Sequence, residues 1–193
     1  MTIDEAIALA NGIFGWMDVP DLRWLYNTAE NVPNLGTIVE VGSWLGKSTT
    51  AIVSGAKTKN IIVVDKWEGS ISDNKGDYFF DGSGIPKNKD EAILIFLRNI
   101  KRTEFVPTMI VEDSWKAAER IPDNYIDFLF IDADHSYESV KKDISAWYPK
   151  VKSGGIVSGH DWNTKGGVRP AVIECIPGRK INVTECNIWW IIK

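Results

Sequence analysis

A chain of 193 residues with 44% hydrophobic and 25% charged residues has the size and composition of one folded domain with a sizeable core. Its formal charge of −4, with no basic block, speaks against a nucleic-acid partner, and with no apolar run of about 18 residues and no basic leader, neither a membrane partner nor a signal segment is expected. Cys175 and Cys186 are too few for a disulfide framework or a cysteine zinc site, so a reduced, cytoplasmic protein is expected.

Two helices are expected first, within 1–33. Ile3, Ala6, Ile7, Ala10 and Ile13 repeat at helical spacing over 2–14, with Thr2 and Glu5 placed as a capping box. A second helix is expected over 21–31, opened by Asp21. Ile38, Val39 and Val41 make a buried strand, interrupted at Gly42 and Gly46, and a helix begins at Ser48. Asn60–Val64 is a second strand, ending at Asp65. The stretch 66–90 is rich in Gly, Asp, Asn and Lys and carries Tyr78, Phe79 and Phe80. A loop that long in a compact domain is either a lid over a ligand or disordered. A helix over 89–101, a strand over 107–111, a short helix over 116–121, a strand over 126–131 and a helix over 136–148 follow. Ser153-Gly154-Gly155 turns the chain into a strand over 156–158. A helix over 167–176 precedes two closing strands, 180–185 and 187–192, arranged as a hairpin. This alternation predicts a single α/β domain over 1–193: a doubly wound, Rossmann-like sheet, mostly parallel, with a C-terminal antiparallel hairpin and helices on both faces.

The strand–glycine–helix unit at 37–51 is built to hold a nucleotide-like ligand, because glycines admit close backbone approach and a helix N-terminus offers free N–H groups. The dinucleotide pattern G-x-G-x-x-G is absent, since Ser43 and Trp44 follow Gly42. Gly46-Lys47-Ser48 fits the end of a phosphate loop, but only three residues separate the two glycines where that loop needs four. Glu40, Gly42, Gly46 and Ser48 meet a third pattern, E-x-G-x-x-x-G-x-S, in full. It resembles motif I of class I S-adenosylmethionine (SAM) methyltransferases, small O-methyltransferases in particular. The resemblance puts Glu40, Gly42, Ser43, Gly46 and Ser48 at the cofactor.

Parallel sheets bind ligands at the carboxyl ends of their strands, and a polar cluster follows each of the first five predicted strands. Asp65 can accept from both hydroxyls of a ribose, with Lys66 and Trp67 flanking the adenosine. Asp113 can accept from an adenine amino group or cap the next helix, with Ser114 and Trp115 packing nearby. Asp132 and His135 end one strand; His160 and Asp161 end the next. Asp132, His160 and Asp161 then form a mixed oxygen and nitrogen site for a divalent cation, Mg2+ or another, with His135 across it as general base. The bland account of the same residues is a helix cap at His135 and a turn pairing His160 with Asp161.

Phe128–Tyr137, taken with Gly154-Gly155-Ile-Val-Ser-Gly-His160-Asp161-Trp162, resembles the catalytic domain of macrolide-sugar O-methyltransferases and, more distantly, the catechol and caffeoyl-CoA enzymes. The resemblance spans roughly 36–162 and implies SAM as cofactor, metal ligands at Asp132, His160 and Asp161, and a base at His135. Asp132 counts in both the cofactor and the metal sets. The pair at 160–161 is usually Asp-Asn or Glu-Asp in those enzymes; His160 departs from this and leaves the cation open. The implied activity is metal-assisted O-methylation of a small-molecule hydroxyl, on a sugar or other polyol; Tyr137 and Trp162 either shape the acceptor pocket or pack as core aromatics. The rivals are a P-loop-like NTPase, favoured by Lys47-Ser48, and a catalytically inactive SAM-binding module. Exposed tryptophans among the nine present would mark an interface in a homo-oligomer.

Overall fold

A computed structural model describes residues 1–68, 86, 88–164 and 166–193. The expected lid over 66–90, with Tyr78, Phe79 and Phe80, lies mostly outside the described residues. Helices α1 (Ile3–Asn11) and α2 (Val19–Glu30) come first. Thr2 and Glu5 close the capping box on α1, which stops three residues short of the expected end at 14. α2 starts earlier than expected: Pro20 fits the first turn, so Asp18 takes the cap position and Asp21 falls inside the helix.

The strands are β1 (Thr37–Val41), β2 (Asn60–Asp65), β3 (Thr108–Val111), β4 (Ile126–Ile131), β5 (Val151–Gly159), β6 (Asn182–Val183) and β7 (Trp189–Ile192). Between them run α3 (Lys47–Gly55), α4 (Lys89–Ile100), α5 (Ser114–Ala117), α6 (Tyr137–Trp147) and α7 (Val168–Cys175). The sheet order is β3-β2-β1-β4-β5-β7-β6. The first five strands in that order pair parallel, and β7 joins β5 and β6 antiparallel. The doubly wound sheet and its C-terminal hairpin are therefore as the sequence implies. β5 begins five residues before the expected 156, because Val151 already pairs with Ile126 across a register shift. β6 and β7 are shorter than expected, leaving 184–188 as a loop.

Alternation along the strands divides the core. Val39, Val41, Leu129, Ile131 and Val157 pack with residues of α5, α6 and α7. Ile38, Ile61, Phe128 and Phe130 pack with α1, α2 and α3. Leu45, Val63 and Trp67 pack with α4. Parallel register brings Val41, Asp65, Val111, Ile131 and Gly159 to one edge of the sheet. No helix among the described residues is long and apolar enough to cross a membrane.

Candidate active site

The loop after β1 is tied on both sides. Gly42 donates to the Val64 carbonyl at 2.8 Å and holds φ +88°. A Cβ there would lie 2.1 Å from the Asp132 carbonyl oxygen, so only glycine lets the ends of β1 and β4 approach this closely. Gly46 caps α3 at φ +87°. Asp65 closes the turn: its Oδ2 accepts from the Ser43 and Trp44 amides at 2.9 and 2.8 Å, and its Oδ1 from Trp67 at 2.6 Å. Burial pushes the Asp65 carboxyl up, and these three amides pull it back.

Glu40 lies under the loop, fully buried. Its Oε2 accepts from Ser43 Oγ at 2.8 Å and from Thr49 Oγ1. Burial raises its pKa to about 7 against the pull of Ser48, Thr49 and Ser43, with Asp132 adding to the rise. Lys47 points away from the turn and donates to the Gly15 carbonyl at 3.0 Å, an arrangement unlike a phosphate-loop lysine. The connector between α1 and α2 is thereby strapped onto this loop. Trp16 stacks on Trp44 at 5.1 Å with an 8° interplanar angle, and Phe14 meets both rings edge-on.

At the ends of β4 and β5 two aspartates and two histidines face one another. His135 Nε2 lies 3.0 Å from Asp161 Oδ2 and 3.6 Å from Asp132 Oδ1. His160 Nδ1 lies 3.2 Å from Asp161 Oδ2 and 3.8 Å from Asp132 Oδ1. Burial alone would lower both imidazole pKa values, but the carboxylates overcome it and hold each at about 10. Asp161 is held well below the usual carboxylate range by the two imidazoles, although burial opposes this. It also keeps φ +62°, and Trp44 and Trp67 share left-handed backbone at neighbouring strand ends. Such backbone in bulky residues is strained and is commonly retained at functional sites.

The structure thus brings Glu40, Gly42, Ser43, Gly46, Ser48 and Asp65 to one turn, and Asp132, His135, His160 and Asp161 to the adjoining strand ends. Carboxylate oxygens of Asp132 and Asp161 and a ring nitrogen of His135 lie within 4.8 Å of one another, a donor set that fits a divalent cation. His160 adds a second nitrogen beside it. Other expected residues face elsewhere. The Trp67 ring is 1% exposed and packs on Phe96, with its Nε1 donating to the Trp44 carbonyl, while Lys66 is half-buried. Asp113 occupies the α5 cap position and its carboxylate pairs with Lys116 at 2.7 Å. Ser114 Oγ accepts from Trp147, and Trp115 carries the Lys142 ammonium 3.5 Å from its ring centroid. Tyr137 donates to Glu174, and Trp162 lies beside Arg169.

Sequence reasoning missed Asp21. It is fully buried, and its Oδ2 lies 3.4 Å from His160 Nε2. A signal was present, since Asp21 shares the buried helical stripe with Leu25 and Thr28 at positions four and seven further on.

A family model described as a methyltransferase domain matches residues 39–162, from β1 to the residue after Asp161. The chain belongs to this methyltransferase family. R132, an uncharacterised protein of Acanthamoeba polyphaga mimivirus, is 28% identical over 152 residues, covering 72% of this chain and 59% of its own length. The chain therefore spans less than two thirds of that curated relative. The O-methyltransferase NovP shares the fold with a TM-score of 0.67 at 19% identity, over 91% of this chain and 80% of its own. An O-methyltransferase from Bacillus cereus, solved in complex with SAH, gives a TM-score of 0.61 at 18% identity, over 99% of this chain and 89% of its own. The fold of this family member is thus that of SAM-dependent methyltransferases.

Proposed function

We propose that this protein transfers the methyl group of S-adenosylmethionine to a hydroxyl oxygen of a small molecule, a sugar or other polyol, with a divalent cation on Asp132, Asp161 and His160. The observation that carries this reading is adjacency: the Gly42 turn packs against the Asp132 backbone, so the proposed cofactor loop and the acid–imidazole cluster are in direct contact. SAM would lie over Gly42–Ser48, with its ribose toward Asp65. A cation in the cluster supplies Lewis-acid charge that lowers the pKa of the acceptor hydroxyl. His135 Nε2 receives the hydroxyl proton as the oxygen–carbon bond forms and the carbon–sulfur bond breaks. While Asp132 and Asp161 face it, this imidazole stays protonated; when those oxygens are engaged elsewhere, it returns toward the range of a general base. Oxygen, methyl carbon and sulfur must lie in line, so the fixed strand ends contribute mainly by positioning.

The test pairs calorimetry with turnover. The protein should bind SAM and SAH and should methylate polyol acceptors from labelled SAM only when a dication is supplied. Asp161→Ala should keep SAH binding and lose the dication-dependent turnover. Stabilisation by ATP–magnesium with none by SAM would overturn the assignment.

A further inference from the structure

Asp21 is a buried carboxylate held by groups from two distant segments. Its Oδ1 accepts from Thr184 Oγ1 at 2.6 Å and its Oδ2 from the Asn187 amide at 3.2 Å, both in the loop between β6 and β7. Its Oδ2 also faces His160 Nε2 at 3.4 Å, an ion-pair separation. That nitrogen is buried and has no aligned hydrogen bond among the described residues. A buried carboxylate without donors is costly, and here one hydroxyl, one amide and one imidazole surround it. The same loop holds the other side of the cluster, since Asn187 Nδ2 reaches Asp161 Oδ1 at 3.5 Å and the Trp162 amide donates to the Asn187 carbonyl at 3.1 Å.

An imidazole has two nitrogens, and the partner of one decides what the other offers. Both ring nitrogens of His160 face carboxylates; when a cation takes the place of the Nδ1 proton, an Nε2–H kept toward Asp21 leaves the Nδ1 lone pair for the ion. We propose that Asp21 is a positioning residue that fixes His160 in this tautomer, so that the cluster offers nitrogen as well as oxygen and selects a transition-metal dication such as Mn2+ over Mg2+. Magnesium favours all-oxygen octahedral sites, whereas imidazole nitrogen raises affinity for first-row transition metals. This role rests on the cation reading above.

Two measurements test it, neither of them on turnover. In the first, Mn2+ and Mg2+ are titrated by calorimetry into wild type, Asp21→Asn and His160→Asp, with thermal melting of each as a folding control. Wild type should bind Mn2+ at least about tenfold more tightly than Mg2+. Asp21→Asn should weaken Mn2+ binding by about 10- to 100-fold while changing Mg2+ binding less, and His160→Asp should narrow the preference. The second measurement needs no Asp21 variant. The sequence has two histidines, so 15N-histidine spectra of the Zn2+-loaded wild type, assigned with His135→Gln, read the His160 tautomer directly. Protonated Nε2 with a metal-shifted Nδ1 is expected. The reverse tautomer, or unchanged Mn2+ affinity in a folded Asp21→Asn, would overturn the role of Asp21 and leave the cation reading standing. A wild-type protein that binds neither ion would overturn both.

Discussion

The two halves of the site satisfy their carboxylates in different ways. In the turn after β1, Glu40 and Asp65 are met by neutral dipoles from close in the chain: the hydroxyls of Ser43 and Thr49 and the amides of Ser43, Trp44 and Trp67. At the ends of β4 and β5, Asp132 and Asp161 are met by charge: the imidazoles of His135 and His160, the latter backed by Asp21. In the first half, Asp65 has three amide donors in place, whereas Glu40 keeps one carboxylate oxygen, Oε1, buried without a hydrogen-bond partner among the described residues. The second is an ion cluster whose groups can exchange partners with a cation and an acceptor, as a reaction centre must. Under the proposed function, binding would fall to one wall and chemistry to the other, the two touching at Gly42.

The sharpest way to break this division is at His135. His135→Gln should reduce turnover by about 10²- to 10⁴-fold, the usual worth of a general base, while SAH affinity by calorimetry stays within about threefold of wild type. A loss of SAH binding as large as the loss of turnover would mean that the two walls are not separate. At the contact between the walls, Gly42→Ala should destabilise the fold by about 3 kcal/mol in urea unfolding. Its Cβ would meet the Asp132 carbonyl at 2.1 Å in a left-handed backbone. A near-neutral substitution would show that β1 and β4 do not close as described.

The smallest effect sharpens the neutral half. Glu40 has its pKa raised to about 7 in the fold, chiefly by burial, against 4.5 when exposed. Between those values the folded state holds a proton that the unfolded state has lost, so this group makes stability fall as pH rises from about 4.5 to 7. Between pH 5 and pH 8 the ligand-free wild type should lose about 2–3 kcal/mol relative to Glu40→Gln, measured by urea unfolding at both values. Parallel pH profiles for the two proteins would place a charge, not a proton, beneath the loop.

How legible each half was follows from the same contrast. The turn is local: a carboxylate, two glycines and a serine within nine residues, and Asp65 at the next strand end, so periodicity and spacing were enough to find it. The edge shared by Asp65, Asp132 and Asp161 also followed from strand alternation, because parallel strands all end on one rim. What did not follow was long-range. Asp21 lies 139 residues from His160 and reads only as the residue that opens a helix until α2 is docked. Trp67 reads as a ligand-facing aromatic, but it sits inside the α4 packing, and nothing in Lys66-Trp67 says which way the ring turns. The helix starts at Val19, with Asp18 at the cap position, because Pro20 is compatible with the first turn and admits a start before Asp21.

The most direct measurement is a crystal structure grown with SAH and Mn2+. The account predicts SAH across Gly42–Ser48 with its ribose hydroxyls on Asp65, and one Mn2+ bound through Asp132 and Asp161 on the acceptor side of the sulfur. SAH bound away from that turn, or a well-occupied Mn2+ site that excludes both aspartates, would contradict it.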